Sequence, residues 1–165
     1  MMLDVAGLFE KHQSKGVLVD TNLLVLYLVG KVNKNRILNF KRTQKHTVED
    51  FELLERAIVW FGSLVTTPHV LGQVSDLATL HGNELSAVRN WFKLVVGETE
   101  ERYEESRNVV KDACFERLGL TDAAIALLCG QRTLMLTDDL DLYDTLSRRG
   151  VDAVNFNHIR HWAWR

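Results

Sequence analysis

Residues 16–30 read GVLVDTNLLVLYLVG. A glycine opens a short β-branched run, 16–20, that suits a buried strand. The second apolar run, 22–29, suits a short buried helix. Between them stands one carboxylate, Asp20, at the end of the strand. Burying it between two hydrophobic segments is costly unless something pairs with it.

Residues 30–46 have no clear period and read as a long loop. It carries Lys31, Lys34, Arg36, Lys41, Arg42 and Lys45 with no acid among them. That is either a solvated basic loop or a phosphate-contacting patch. Residues 48–61 hold apolar side chains at 51, 53, 54, 57, 58 and 61, a helical stripe. Strand 64–66 precedes Thr67, a good N-cap, and Pro68, which suits a first helical position. The helix that follows, 68–81, buries Val70, Leu71, Val74, Leu77 and Ala78. Further helices are expected over 84–96 and 104–118. GLTDAAIALLCG then opens a helix that is apolar nearly all round after Asp122. The stretch TLMLTDDLDLYDTLSRRGVDAVNF reads strand, loop, helix, strand, with Gly150 as the helix stop. Strands alternating with helices predict an α/β fold whose parallel sheet is covered on both faces.

At 165 residues the chain is the size of one domain, 1–165, with 46% hydrophobic and 25% charged residues, as in soluble globular proteins. Cys114 and Cys129 lie among apolar residues without C-x-x-C spacing and read as reduced core thiols. No secretory leader pattern is visible, and the longest apolar run, 23–29, is far too short to cross a bilayer. A cytosolic location and no membrane partner are expected. Net charge is −2, so overall charge would not hold a nucleic acid.

In an open parallel sheet, functional groups gather beyond the carboxyl ends of the strands. Asp20 ends the first strand, Asp138 and Asp139 follow TLMLT, and Asp122 starts the buried helix that feeds it. Singly, each suits a helix N-terminus or a turn. Clustered, they need a shared proton, an intervening basic side chain or a divalent cation. Hard oxygen ligands suit Mg²⁺ or Mn²⁺. No histidine stands beside these acids in their own segments, which disfavours zinc.

VLVDTNLLV at 17–25, TTPHVLGQVSDL at 66–77, GLTDAAIALL at 119–128 and LMLTDDLDL at 134–142 together resemble the PIN-domain ribonucleases, close to VapC-type toxins. The resemblance covers about 16–156. It implies a three-layer α/β/α sandwich and Mg²⁺- or Mn²⁺-dependent cleavage of RNA. Asp20, Asp122 and Asp139 fall on the family's acidic positions, with Asp139 preferred to Asp138. Thr21 and Asn22 match the residues after the first aspartate, and Thr137 matches a hydroxyl beside the last acid.

One position departs from the family. Where its members carry a glutamate in the helix after the second strand, this chain has Gln73. At roughly 100° per residue, Gln73 falls on the flank of the buried face. Its amide oxygen could face a metal, but it cannot act as a general base.

The expected function is therefore a metal-dependent endoribonuclease, the toxin of a toxin–antitoxin pair. RNA is the substrate, an antitoxin the protein partner, and a homodimer the family's habit. Lys41, Arg42 and Lys45 are the expected RNA-backbone contacts. The terminal HIRHWAWR could stack bases or dock as a tryptophan-anchored tail. The alternative is a weakened PIN fold that binds RNA or a protein without cutting. A haloacid-dehalogenase phosphatase fits poorly, because it needs a second aspartate where Asn22 stands.

Overall fold

The computed structural model describes residues 4–130 and 132–163, with side chains described as far as residue 160. The elements are α1 (Val5–His12), β1 (Val17–Val19), α2 (Thr21–Val32), α3 (Val48–Phe61), β2 (Leu64–Thr66), α4 (Pro68–Leu77), α5 (Asn83–Glu98) and β3 (Thr99–Glu101). They continue as α6 (Ser106–Val109), α7 (Phe115–Leu128), β4 (Leu134–Thr137), α8 (Leu140–Arg148), β5 (Ala153–Asn155) and α9 (Phe156–Ala163).

The strands form one sheet in the order β3-β2-β1-β4-β5, and every pairing is parallel. Helices flank it in a three-layer α/β/α sandwich. On the side that connects β1 to β2 and β3, α2 packs against α3, α4 and α5; α7 packs against α8. The order places β1 beside β4, the point where the winding reverses direction. In doubly wound sheets the crevice at such a point lies beyond the strand carboxyl ends. Here those ends carry Asp20 and Thr137–Asp139.

The central strands are continuous apolar runs because both their faces are covered. Val17, Leu18, Val19, Leu134, Met135 and Leu136 are completely buried. Helix α3 starts with a capping box, in which Thr47 and Asp50 satisfy each other's backbone N–H. Thr67 Oγ1 accepts from Val70 N at 3.1 Å and caps α4, with Pro68 at its first position. Gly30 lets α2 approach α3: a Cβ there would collide with the ring of Phe51. Cys114 and Cys129 are buried, free thiols. No helix among the described residues is long and apolar enough to cross a membrane.

Several expectations need correction. Helix α2 runs on to Val32, and 33–46 is not an open loop. A 3₁₀ turn, Lys34–Arg36, leads into successive turns closed over Ile37 and Thr43, both fully buried. Thr43 Oγ1 donates to the Ile37 carbonyl at 2.8 Å, a local bond that no periodicity announces. Helix α4 stops at Leu77 rather than at 81. The helix expected over 104–118 is broken between α6 and α7. There Asp112 Oδ1 accepts from Cys114 N at 2.9 Å, and Asp112 also pairs with Arg149, so side-chain bonds compete with the helix. The boundary expected at Gly119 does hold: within α7 the backbone leaves the helix there, with a φ of 82° that is open to glycine, and resumes after it. Strand β3, Thr-Glu-Glu, is a polar edge strand without the alternation that marks strands. Helix α9 takes in most of the terminal stretch. The proposed roles of Trp162 and Trp164 lie outside the described side chains.

Candidate functional site

Asp20 caps α2, its Oδ1 accepting from Leu23 N at 2.9 Å. Its Oδ2 accepts from the Thr137 hydroxyl and from Asp138 N, the latter at 3.0 Å. Three donors therefore offset the burial of this carboxylate, which is 4% exposed. They do not offset it fully. Burial, with the charge of Asp138 beside it, pushes Asp20 up to about 7, against the pull of those hydrogen bonds.

Asp138 has the opposite surroundings. Its Oδ2 meets Lys45 Nζ at 2.7 Å and His46 Nε2 at 3.1 Å, and its Oδ1 meets Asn22 Nδ2 at 3.5 Å. Burial favours its neutral form, but the bonds from His46 and Lys45 and their charge outweigh it and hold Asp138 at about 2. His46 is itself buried, edge-on to Phe156, with Nδ1 3.7 Å from Asp50 Oδ2. Asp50, buried as the α3 capping residue, pairs with Arg160 Nε at 2.7 Å. A chain of contacts thus runs from α9 to the rim of β4.

Asp139 and Asp122 form a second pair. Asp139 Oδ1 caps α8 through Leu142 N at 3.0 Å, and its own N–H donates to Thr137 Oγ1 at 2.9 Å. Thr137 therefore links both pairs, accepting from the Asp139 backbone and donating to Asp20. Asp122 sits past the Gly119 kink. Burial, then the charge of Asp139, pushes it up to about 6. Gln73 is exposed, yet its Oε1 accepts from the Thr21 hydroxyl at 3.0 Å, which tethers it to the residue after Asp20. Asp76 is exposed on the same helix.

The basic segment is largely committed to acids of this chain. Lys31 pairs with Glu55, Lys34 with Glu52 at 2.9 Å and Arg36 with Glu84 at 2.8 Å. Lys45, expected on RNA, is on Asp138. Lys41 and Arg42 are exposed and make no ion pair among the described residues. No histidine lies in the acids' own segments, but in space His46 reaches Asp138 from 92 residues away in sequence. Sequence reading missed His46, Asp50 and Arg160 and passed over Asp138, since only tertiary contacts join them.

Mg²⁺ and Mn²⁺ take oxygen donors, and Asp20, Asp122, Asp139 and Gln73 offer them. Among the described residues, however, no three His, Cys, Asp or Glu side chains are gathered closely enough to hold a metal ion. The donor chemistry matches a hard cation and the arrangement does not: the acids stand as two pairs, and Asp138 is taken by protein cations.

No family model matches the chain, and no curated protein or solved structure matches it.

Proposed function

We propose that this chain is a PIN-type endoribonuclease that needs Mg²⁺ or Mn²⁺ and cleaves RNA phosphodiester bonds. Its setting would be that of a cytoplasmic toxin held by an antitoxin protein, as a homodimer. The observation that carries the reading is Asp20. A carboxylate buried at the β1/β4 switch point and pushed up to about 7 is costly for the fold, and such groups cluster at functional sites. Asp122, pushed up to about 6 near Asp139, supports it.

In this reading Thr137 and the Asp138 backbone orient Asp20, Thr21 orients Gln73, and Asn22 steadies Asp138. Lys41 and Arg42 hold RNA phosphates without sequence choice. Asp20, Asp122 and Asp139 are the carboxylates that would hold the ion, which would supply an activated water and charge stabilisation at the phosphate. A second reading, a PIN fold that binds RNA or protein without cutting, is favoured by Gln73 and by the commitment of Asp138 to Lys45 and His46.

The test is cleavage of single-stranded RNA in Mn²⁺. The wild type should cut, and Asp20→Asn and Asp139→Asn should each fall at least about 100-fold, roughly 2.7 kcal/mol at the transition state. RNA binding without any cleavage by the wild type would select the second reading.

A further inference from the structure

A cleft of about 220 Å³ opens between the turns that follow α2 and the connection from α4 to α5. Its lining shares no residue with the acid rim. Phe40, half-buried, forms one wall beside Asn39, and the exposed Thr79 lines it from the α4–α5 connection. Glu84, at the start of α5, fixes the frame. It accepts from Asn33 Nδ2, just past α2, at 3.0 Å and from Arg36 Nε at 2.8 Å, so its charge is answered within the wall. Arg36 uses only Nε in that pair; its terminal nitrogens make no hydrogen bond among the described residues. Asn39 donates Nδ2 to the Asn35 carbonyl at 3.2 Å, and no described residue donates to its Oδ1. One concavity therefore offers an aromatic ring, free N–H donors and a free amide acceptor. Lys41 and Arg42 follow Phe40 directly, exposed and without an ion pair among the described residues.

We propose that this cleft binds one nucleobase of single-stranded RNA. Phe40 stacks on the base, Arg36 and Asn39 meet its polar edge, and Lys41 and Arg42 take the adjoining phosphates. This rests on the RNA reading above and not on a bound metal. The volume falls just under the roughly 300–1,000 Å³ of pockets that hold a drug-sized ligand, which suits one base and not a stacked run. Two free cations alone would take any polyanion. A ring beside a donor and an acceptor adds a preference for bases over bare phosphate. Anchoring one base also fixes the register of the strand against the chain.

The experiment is fluorescence anisotropy of the full chain with a labelled short single-stranded RNA, in a chelator that prevents metal-dependent cleavage. Phe40→Ala removes the stacking ring, and Thr79→Leu narrows the cleft from an exposed position without touching the core. Phe40→Ala should weaken RNA binding about tenfold, a change of about 1.4 kcal/mol, and Thr79→Leu about threefold. Phe40→Tyr should keep the wild-type affinity. Polyphosphate, which has no bases, should bind the wild type and all three variants equally. Unchanged RNA affinity in Phe40→Ala or in Thr79→Leu, or a parallel loss of polyphosphate binding, overturns the inference while leaving the RNA reading intact. Failure of the wild type to bind RNA overturns that reading and the inference with it.

Discussion

Lys11 and His12 converge on one oxygen of Asp152 just before β5, at 2.6 and 2.7 Å. Lys45 and His46 converge on one oxygen of Asp138 just after β4, at 2.7 and 3.1 Å. The same dipeptide grips an aspartate at each end of the sheet, with a buried histidine in both cases. What differs is the next neighbour. At the amino end the grip ties α1 to β5; Asp152 is held below its ordinary value by Lys11 and His12 despite its partial burial. At the carboxyl end a second carboxylate, Asp20, shares the site, and the ionised Asp138 helps to drive it up. One clasp balances its charge, whereas the other leaves acid in excess. The proposed function places its site at the end with that surplus.

The two ends should differ most in the sign of their pH dependence. Asp20 rises on folding from its ordinary 3.8 to about 7. The folded metal-free chain therefore binds the proton more tightly than the unfolded one. Its contribution is fully present below pH 3.8 and is lost as pH rises through about 7. The loss is on the order of a few kcal/mol. Asp152 is depressed, so its contribution is present above the ordinary value and is lost only as pH falls through the depressed one. Urea unfolding in a chelator, from acid to neutral pH, reads both. Asp20→Asn should gain on the wild type as pH rises, even though its amide nitrogen would meet the Asp138 N–H. Asp152→Asn should lose its disadvantage toward acid. Parallel curves for Asp20→Asn and the wild type would break the comparison.

A smaller effect sharpens it. Gln73→Glu adds an acid to the rim at a side chain already tethered by Thr21. Shape is nearly conserved, so packing should hold. Metal-free stability should drop slightly, Mn²⁺ should bind more tightly, and RNA cleavage should rise about tenfold, roughly 1.4 kcal/mol. If affinity and cleavage both stay at wild-type levels, Gln73 lies outside the centre.

Local chemistry was legible wherever neighbours in sequence create it. The apolar run before Asp20, the Thr67–Pro68 helix start and the stripe of α3 each encode their element directly, and the alternation of strands and helices encodes the parallel sheet. Reading failed where the determinant is distant. The turns over Ile37 and Thr43 depend on side-chain bonds, and the break before α7 depends on Asp112 turning to Arg149. The same holds for the site. Asp20, Asp122 and Asp139 announce themselves at strand and helix ends. The partners of Asp138 do not, because Lys45 and His46 reach the rim only once the segment before α3 has packed there. A basic stretch read as an RNA patch turns out to be mostly paired with acids of its own chain, which no count of charges could foresee.

The proposed function requires the acid-rich end of the sheet, and not the balanced clasp, to receive a divalent cation. Paramagnetic broadening of amide signals by substoichiometric Mn²⁺ tests it most directly, because it locates the ion without assuming activity. The Leu23, Asp122 and Leu142 amides should vanish first, Met135 and Asp152 should survive, and Asp20→Asn should restore the lost signals. Broadening centred on Asp152, or no localised broadening at all, would contradict it.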